Sequence, residues 1–154
     1  VKGDAVVPYR RGHKRLEVWQ ESVALATHIY QVTELFPKTE VYGLISQMRR
    51  AVVSVPSNIA EGAARHSSKE FSHFLSIAGG SLSELDTQIE IACNLNYLSA
   101  DLKLEIDRKI DSITGQTCQI DNNGQKEHLG TTSVKWIREE MHDIIHVSQF
   151  FDSP

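Results

Sequence analysis

Cysteine is scarce in this chain of 154 residues. Cys93 and Cys118 stand 25 positions apart with no CxxC repeat and no nearby histidine, which argues against a zinc module and supplies no disulfide framework. No apolar run approaches the roughly 18 residues of a membrane span, and the opening VKGDAVVPYRRGHKR carries charge where a secretory signal has its apolar core. A reducing, cytoplasmic setting without membrane insertion is the expectation. An excess of charge of one sign is also missing: 23 % of residues are charged, yet the net charge is only -4. The composition therefore fits neither global disorder nor a strongly polybasic nucleic-acid binder. Any basic surface must be local.

The patterns that carry most chemistry are missing too. No Walker or Rossmann spacing surrounds Gly79 and Gly80, no HExxH occurs, and no serine or cysteine sits in a recognisable nucleophile context. His66 and His73 are seven apart; His142 and His146 are four apart with Asp143 between them, a spacing that puts two imidazoles on one helix face but needs a further ligand to hold a metal. Glu84, Asp86 and Glu90 lack the paired Glu-x-x-His elements of a carboxylate-metal bundle. The expectation is a protein without enzymatic activity, metal, cofactor or small-molecule substrate.

What the chain has is helical periodicity, and apolar residues make up 40 % of it. Its length suits one domain, burying roughly two thirds of the surface exposed on unfolding. Residues 41–92 read as two long helices joined near Gly62 to Ser67. In the second, Phe71, Leu75, Ala78, Leu82, Leu85, Ile89 and Ala92 alternate at spacings of four and three, a continuous apolar seam. In the first, Val41, Leu44, Ile45, Met48, Ala51, Val52, Val55 and Ile59 form the expected buried face, and Pro56 predicts a kink. Thr39 is the expected cap of this helix, Ser67 with Glu70 matches a capping box, and Gly62 suits a left-handed helix end. Gly79 and Gly80 together cost roughly 2 kcal/mol relative to alanine, which predicts a close helix contact there.

Before this pair, residues 1–12 form an expected mobile arm, and a helix runs from about Leu16 until Phe36 meets Pro37. Its main apolar face is expected at Leu16, Trp19, Val23, Ala26, Tyr30 and Thr33, widened by Val18, Leu25, Ile29, Val32 and Phe36. After it, Ser99 caps a fourth helix through Leu102, Ile106, Ile110 and Ile113. Beyond Gly115 the polar, turn-rich QTCQIDNNGQKEHLGTTS weakens the pattern. A short helix near 134–148 follows, able to dock on the bundle or meet a partner. The domain reading is thus an arm at 1–12, a four-helix bundle at 13–114 and a variable extension at 115–154.

Gln47, Arg49, Arg50, Asn58, Glu61 and Arg65 form the conspicuous polar series. Spacings of eight from Arg50 to Asn58 and three from Asn58 to Glu61 allow a structural network in which Gln47, Asn58 and Glu61 take part. Lys14, Arg15, Arg49, Arg50 and Arg65 are the candidate phosphate contacts.

These residues resemble a bacterial four-helix protein family encoded in intervening sequences of large-subunit ribosomal RNA genes. The resemblance covers residues 14–114 and runs through LEVW at 16–19, Phe36 and Pro37, Gly43 and Leu44, Arg49 to Ala51, PSNIAEG at 56–62, Arg65, Phe74 and Leu75, and GSLSEL at 80–85. It implies an all-α, up-down four-helix bundle, here with a kinked second helix and an atypical C-terminal extension, and a homo-oligomer in the form of a pentameric ring. The chain is similar also to accessory proteins of diversity-generating retroelements, whose barrel-like pentamers work with a reverse transcriptase and RNA. The functional expectation is a non-enzymatic RNA or ribonucleoprotein accessory protein. The alternative is a structural or protein-interaction module with no direct nucleic-acid contact.

Overall fold

The structure, a computed structural model, describes residues 12–128, with side chains through Asn122. Within them a short 3-10 helix, Gly12–Arg15, leads into α1 (Glu17–Thr33), α2 (Leu44–Ala63), α3 (Ser68–Asn94) and α4 (Ala100–His128). Side-chain bonds fix the order of packing. Arg49 reaches back to Tyr30 and Thr33, Ser54 meets Ser81, Ser72 meets Asp121, and Glu21 meets Ser112. Each helix therefore runs antiparallel to the next, α4 closes against α1, and the result is an up-down four-helix bundle.

The core follows the expected period with one rotation. In α3, Leu75, Ala78, Leu82, Leu85, Ile89 and Ala92 are buried, and in α4 Ile106, Ile110 and Ile113 are joined by Thr117. In α1 the buried face is Val18, Ser22, Leu25, Ile29, Val32 and Thr33, whereas Val23 and Tyr30 are exposed. The set expected to widen the stripe is thus its centre. Val41, expected in the core of the second helix, is likewise exposed, because the chain between Pro37 and Gly43 is a 3-10 turn and α2 begins only at Leu44.

Helix ends depart from expectation in an instructive way. Thr39 does not cap α2; instead the Glu40 carboxylate accepts from the Leu44 amide at 3.0 Å, placing negative charge at the positive end of the helix dipole. Ser67 is the N-cap residue of α3, in extended conformation, but its side chain makes no cap bond, so the capping box with Glu70 does not form. Ser99 caps α4 as expected, its hydroxyl accepting from the Leu102 amide at 3.3 Å. α4 then continues past Gly115 to His128, so the described part of the segment expected to be turn-rich is helical. Packing explains the difference: Thr117 is buried and Ile120 lies against the core, and tertiary contact outweighs weak local propensity. The expected arm and the helix expected near 134–148 lie outside the described residues, apart from Gly12 at the end of the arm.

Two glycine readings change. Gly62 lies inside α2, buried, and a Cβ there would come within 2.7 Å of the Phe71 ring and 2.8 Å of Phe74 Cβ. Close approach of α3, not a left-handed turn, is what this position requires. Gly79 and Gly80, expected at a tight contact, have nothing within 4 Å of an added Cβ. Pro56 is buried within α2, which continues to Ala63. Ser57 and Asn58 donate to the carbonyls of Val53 and Ser54 at 2.7 and 2.8 Å in the same stretch of helix, and neither reaches the Val52 carbonyl, which Pro56 leaves without its usual amide donor.

Candidate nucleic-acid interface

The five candidate cations fall into two groups set by the geometry of α1 and α2. Lys14 and Arg15 are exposed in the 3-10 helix before α1, where the Gln20 side chain donates to the Lys14 carbonyl at 2.8 Å. That helix packs on α2. The antiparallel run of α1 and α2 brings it to the end where Arg65 follows α2. Arg49 and Arg50 lie near the other end; from Arg49 to the end of α2 at Ala63 the helix rises about 21 Å at 1.5 Å per residue. The five do not form one patch.

Arg49 is half-buried and held on three sides. Its Nε donates to Thr33 Oγ1 at 2.9 Å, its Nη2 donates to the Tyr30 carbonyl at 3.2 Å, and the guanidinium carbon sits 4.6 Å from the centre of the Tyr30 ring. Thr33 is itself buried and donates to the carbonyl of Ile29 at 2.8 Å. This side chain ties the end of α1 to the start of α2, and three of its five N–H donors are not used by these bonds. Arg50 and Arg65 are exposed. Arg50 donates to Gln47 Oε1, and Arg65 pairs with Glu61 while lying 5.1 Å from the Phe74 ring centre.

Gln47, Asn58 and Glu61 do not converge on one network. Gln47 serves Arg50, Glu61 serves Arg65, and Asn58 donates to the Ser54 carbonyl at 2.8 Å and to Ser54 Oγ at 2.9 Å. The Ser54 hydroxyl lies 2.8 Å from Ser81 Oγ on α3. Periodicity along one helix identifies the pairs three or four residues apart. It cannot identify Ser81, which enters from the neighbouring helix.

Two polar seams on α4 carry little signal in the sequence for the same reason. Lys103 bridges Asp107 at 2.8 Å and Glu90 of α3 at 3.2 Å, and these hydrogen bonds hold its ammonium well above the usual lysine range. Toward α1, Lys109 meets Glu105 at 2.9 Å and His28 Nδ1 at 3.3 Å, and Glu21 accepts from Ser112 at 2.8 Å. The Lys109 hydrogen bond holds the Glu105 carboxyl below its usual range. Only Lys103 with Asp107 and Glu105 with Lys109, four apart on one helix, carry a sequence signal.

His66 and His73 are exposed, and His73 packs edge-on to Phe74. His142 and His146 lie outside the described residues. Among the described residues no group of three or more His, Cys, Asp or Glu side chains is arranged to hold a metal ion, and no helix is long and apolar enough to cross a membrane.

The model of the 23S rRNA-intervening sequence protein family matches residues 14–118. The chain belongs to this family. The match begins at the 3-10 helix and extends into α4 beyond Gly115, so it takes in all four helices and all five candidate cations. Among solved structures, the chain is similar to a protein of unknown function from the S23 ribosomal protein family of Bacteroides thetaiotaomicron. The two share 20 % identity over 68 % of this chain and 97 % of the other, with a TM-score of 0.61. That likeness concerns the fold, and it extends over nearly the whole of the Bacteroides protein. No curated protein matches the chain. Fold and family are consistent with a non-catalytic accessory protein.

Proposed function

We propose that this protein is a non-enzymatic, cytoplasmic accessory factor that binds RNA, or a ribonucleoprotein such as a reverse transcriptase with its RNA, through basic surface residues. The observation that carries this reading is the exposure of Lys14, Arg15, Arg50 and Arg65, in two separated groups, on a chain whose family is bound up with ribosomal RNA genes. Exposed cations spaced along a helix pair suit a flexible polyanion better than a compact anion, since each meets a phosphate separately. The active form is a homo-oligomer, and a pentamer is the state implied by the sequence resemblance. Exposed Val53, Ile77, Ile91 and Leu104 on the outer faces of α2, α3 and α4 support association.

An RNA titration on the size-resolved oligomer at two salt concentrations tests this. Affinity is expected to fall steeply with salt, by a slope of about 0.7 per phosphate neutralised on a single strand. Absence of any salt-dependent association overturns direct RNA binding.

A second reading, a structural or protein-interaction module, is favoured by a different observation. Arg49 is anchored to α1, and Ser54, Asn58 and Ser81 form an interhelical group. On that reading the polar residues of α2 serve assembly of the bundle, and a native partner is recovered in complexes that ribonuclease leaves intact.

A further inference from the structure

The corner between α1 and α2 holds a concavity of about 290 Å³ that none of the five candidate cations but Arg49 touches. Its floor is apolar, with buried Phe36 and Ile45 beside the exposed Val41, and its rim carries Arg49 and Lys38 against the one acid Glu34. Arg49 arrives already oriented by Thr33, the Tyr30 carbonyl and the Tyr30 ring, so its remaining donors need no ordering when a ligand binds. The Lys38 ammonium has no partner among the described residues. Tyr42, which follows Val41 in the chain without lining the concavity, is 95 % exposed, and Leu35 in the same connection is 81 % exposed. A tyrosine left this bare in a helix-to-helix connection is an unused aromatic surface.

We infer that this corner is a single-stranded RNA subsite, in which Arg49 and Lys38 take a phosphate and a base stacks on Tyr42. The inference rests on the RNA-binding reading and places its specific contact at residues outside the basic series, apart from Arg49. Cations beside a free aromatic ring are the combination that binds unpaired strands: the cations follow the backbone, and any base offers a face to the ring. A duplex keeps its bases stacked on one another and cannot use Tyr42, so the site discriminates by strandedness.

The test uses the full chain with fluorescein-labelled 12-mers of oligo-U and oligo-A and a duplex of mixed sequence, read by anisotropy at 50 and 200 mM salt. Tyr42→Ala, Tyr42→Phe and Lys38→Ala are the variants, since both side chains are exposed and circular dichroism checks that the bundle is intact. Tyr42→Ala is expected to weaken single-strand binding at least about fivefold with an unchanged salt slope, and to leave duplex binding as it was. Tyr42→Phe restores the affinity. Lys38→Ala lowers affinity and reduces the slope by about 0.7. If the wild type binds RNA and both alanine variants bind equally well, the subsite is overturned while the wider RNA reading stands. If the wild type binds no RNA, both fall. If the wild type binds a labelled acidic, leucine-rich peptide and the alanine variants lose that binding while keeping their RNA affinity, the corner belongs to a protein partner and the subsite is overturned.

Discussion

Replacing Gly62 by alanine and, separately, Gly80 by alanine makes the same chemical change at two helical positions with opposite surroundings. Both substitutions gain roughly 0.8–1 kcal/mol of helix propensity, because alanine loses less backbone freedom than glycine. At Gly80 nothing lies within 4 Å of the new methyl group, so the whole gain is retained. At Gly62 the methyl group meets the Phe71 ring at 2.7 Å and Phe74 Cβ at 2.8 Å. The ring can turn aside. Phe74 Cβ is fixed to the backbone of α3, and ordinary contact requires α2 and α3 to separate by about 0.6 Å along their most extensive interface. Overpacking of a close-packed core costs about 1–3 kcal/mol. Since the propensity gain cancels when the two variants are compared, Gly62→Ala is expected to be roughly 2 kcal/mol less stable than Gly80→Ala. Urea unfolding followed by circular dichroism at one protein concentration reads this as a difference of about 1 M in midpoint. Equal midpoints would refute the close approach of α2 and α3 at Gly62.

Further outcomes follow from the core and its polar seams. Leu85→Ala, at a fully buried position of α3, is expected to cost about 2–5 kcal/mol in the same urea assay. Asn58→Ala removes the donor to Ser54 on the helical turn that contains Pro56 and is expected to cost about 1 kcal/mol; a neutral result would show that this side chain contributes nothing to α2. Glu105 has a folded-state pKa below its ordinary value of 4.5, so its contribution is present above that pH and is lost as pH falls through the depressed value. The gap in urea midpoint between wild type and Glu105→Gln should therefore be open at pH 7 and closed in strong acid, and a gap independent of pH would remove Lys109 as its cause.

How much of this was legible in the sequence depends on whether a signal lies along one helix or between two. The seam of α3 and most of the buried face of α2 could be read residue by residue, because burial of a helix stripe imposes its period directly on the chain. For α1 the period marks a stripe wider than the face that is buried. Trp19, Val23 and Tyr30 are apolar enough to satisfy the period, and hydrophobicity alone does not say which side of a wide stripe faces inward. The sequence points to close contact at Gly79 and Gly80 and to a helix end at Gly62, whereas the close contact is at Gly62, since a glycine required by a neighbouring ring and a glycine in open space look alike in one dimension. For the candidate site, the pairs Arg50 with Gln47 and Arg65 with Glu61 follow from spacing. The commitment of Arg49 to Thr33 and Tyr30 does not, because its partners lie on another helix. Lys38 and Tyr42 sit in a short connection with no periodicity, and only exposure in three dimensions marks them.

The unequal seams of the bundle carry a consequence for how it opens. α2 and α3, adjacent in the chain and joined by a short turn, share the most extensive interface, whereas α1 and α4 meet through His28, Lys109, Glu105, Glu21 and Ser112 over the least. Amide hydrogens of the central hairpin should therefore exchange only on global unfolding, while those of the outer helices exchange sooner through a hinge-like parting of α1 from α4. The polar α1–α4 closure makes the first and last helices a clasp that releases before the hairpin melts.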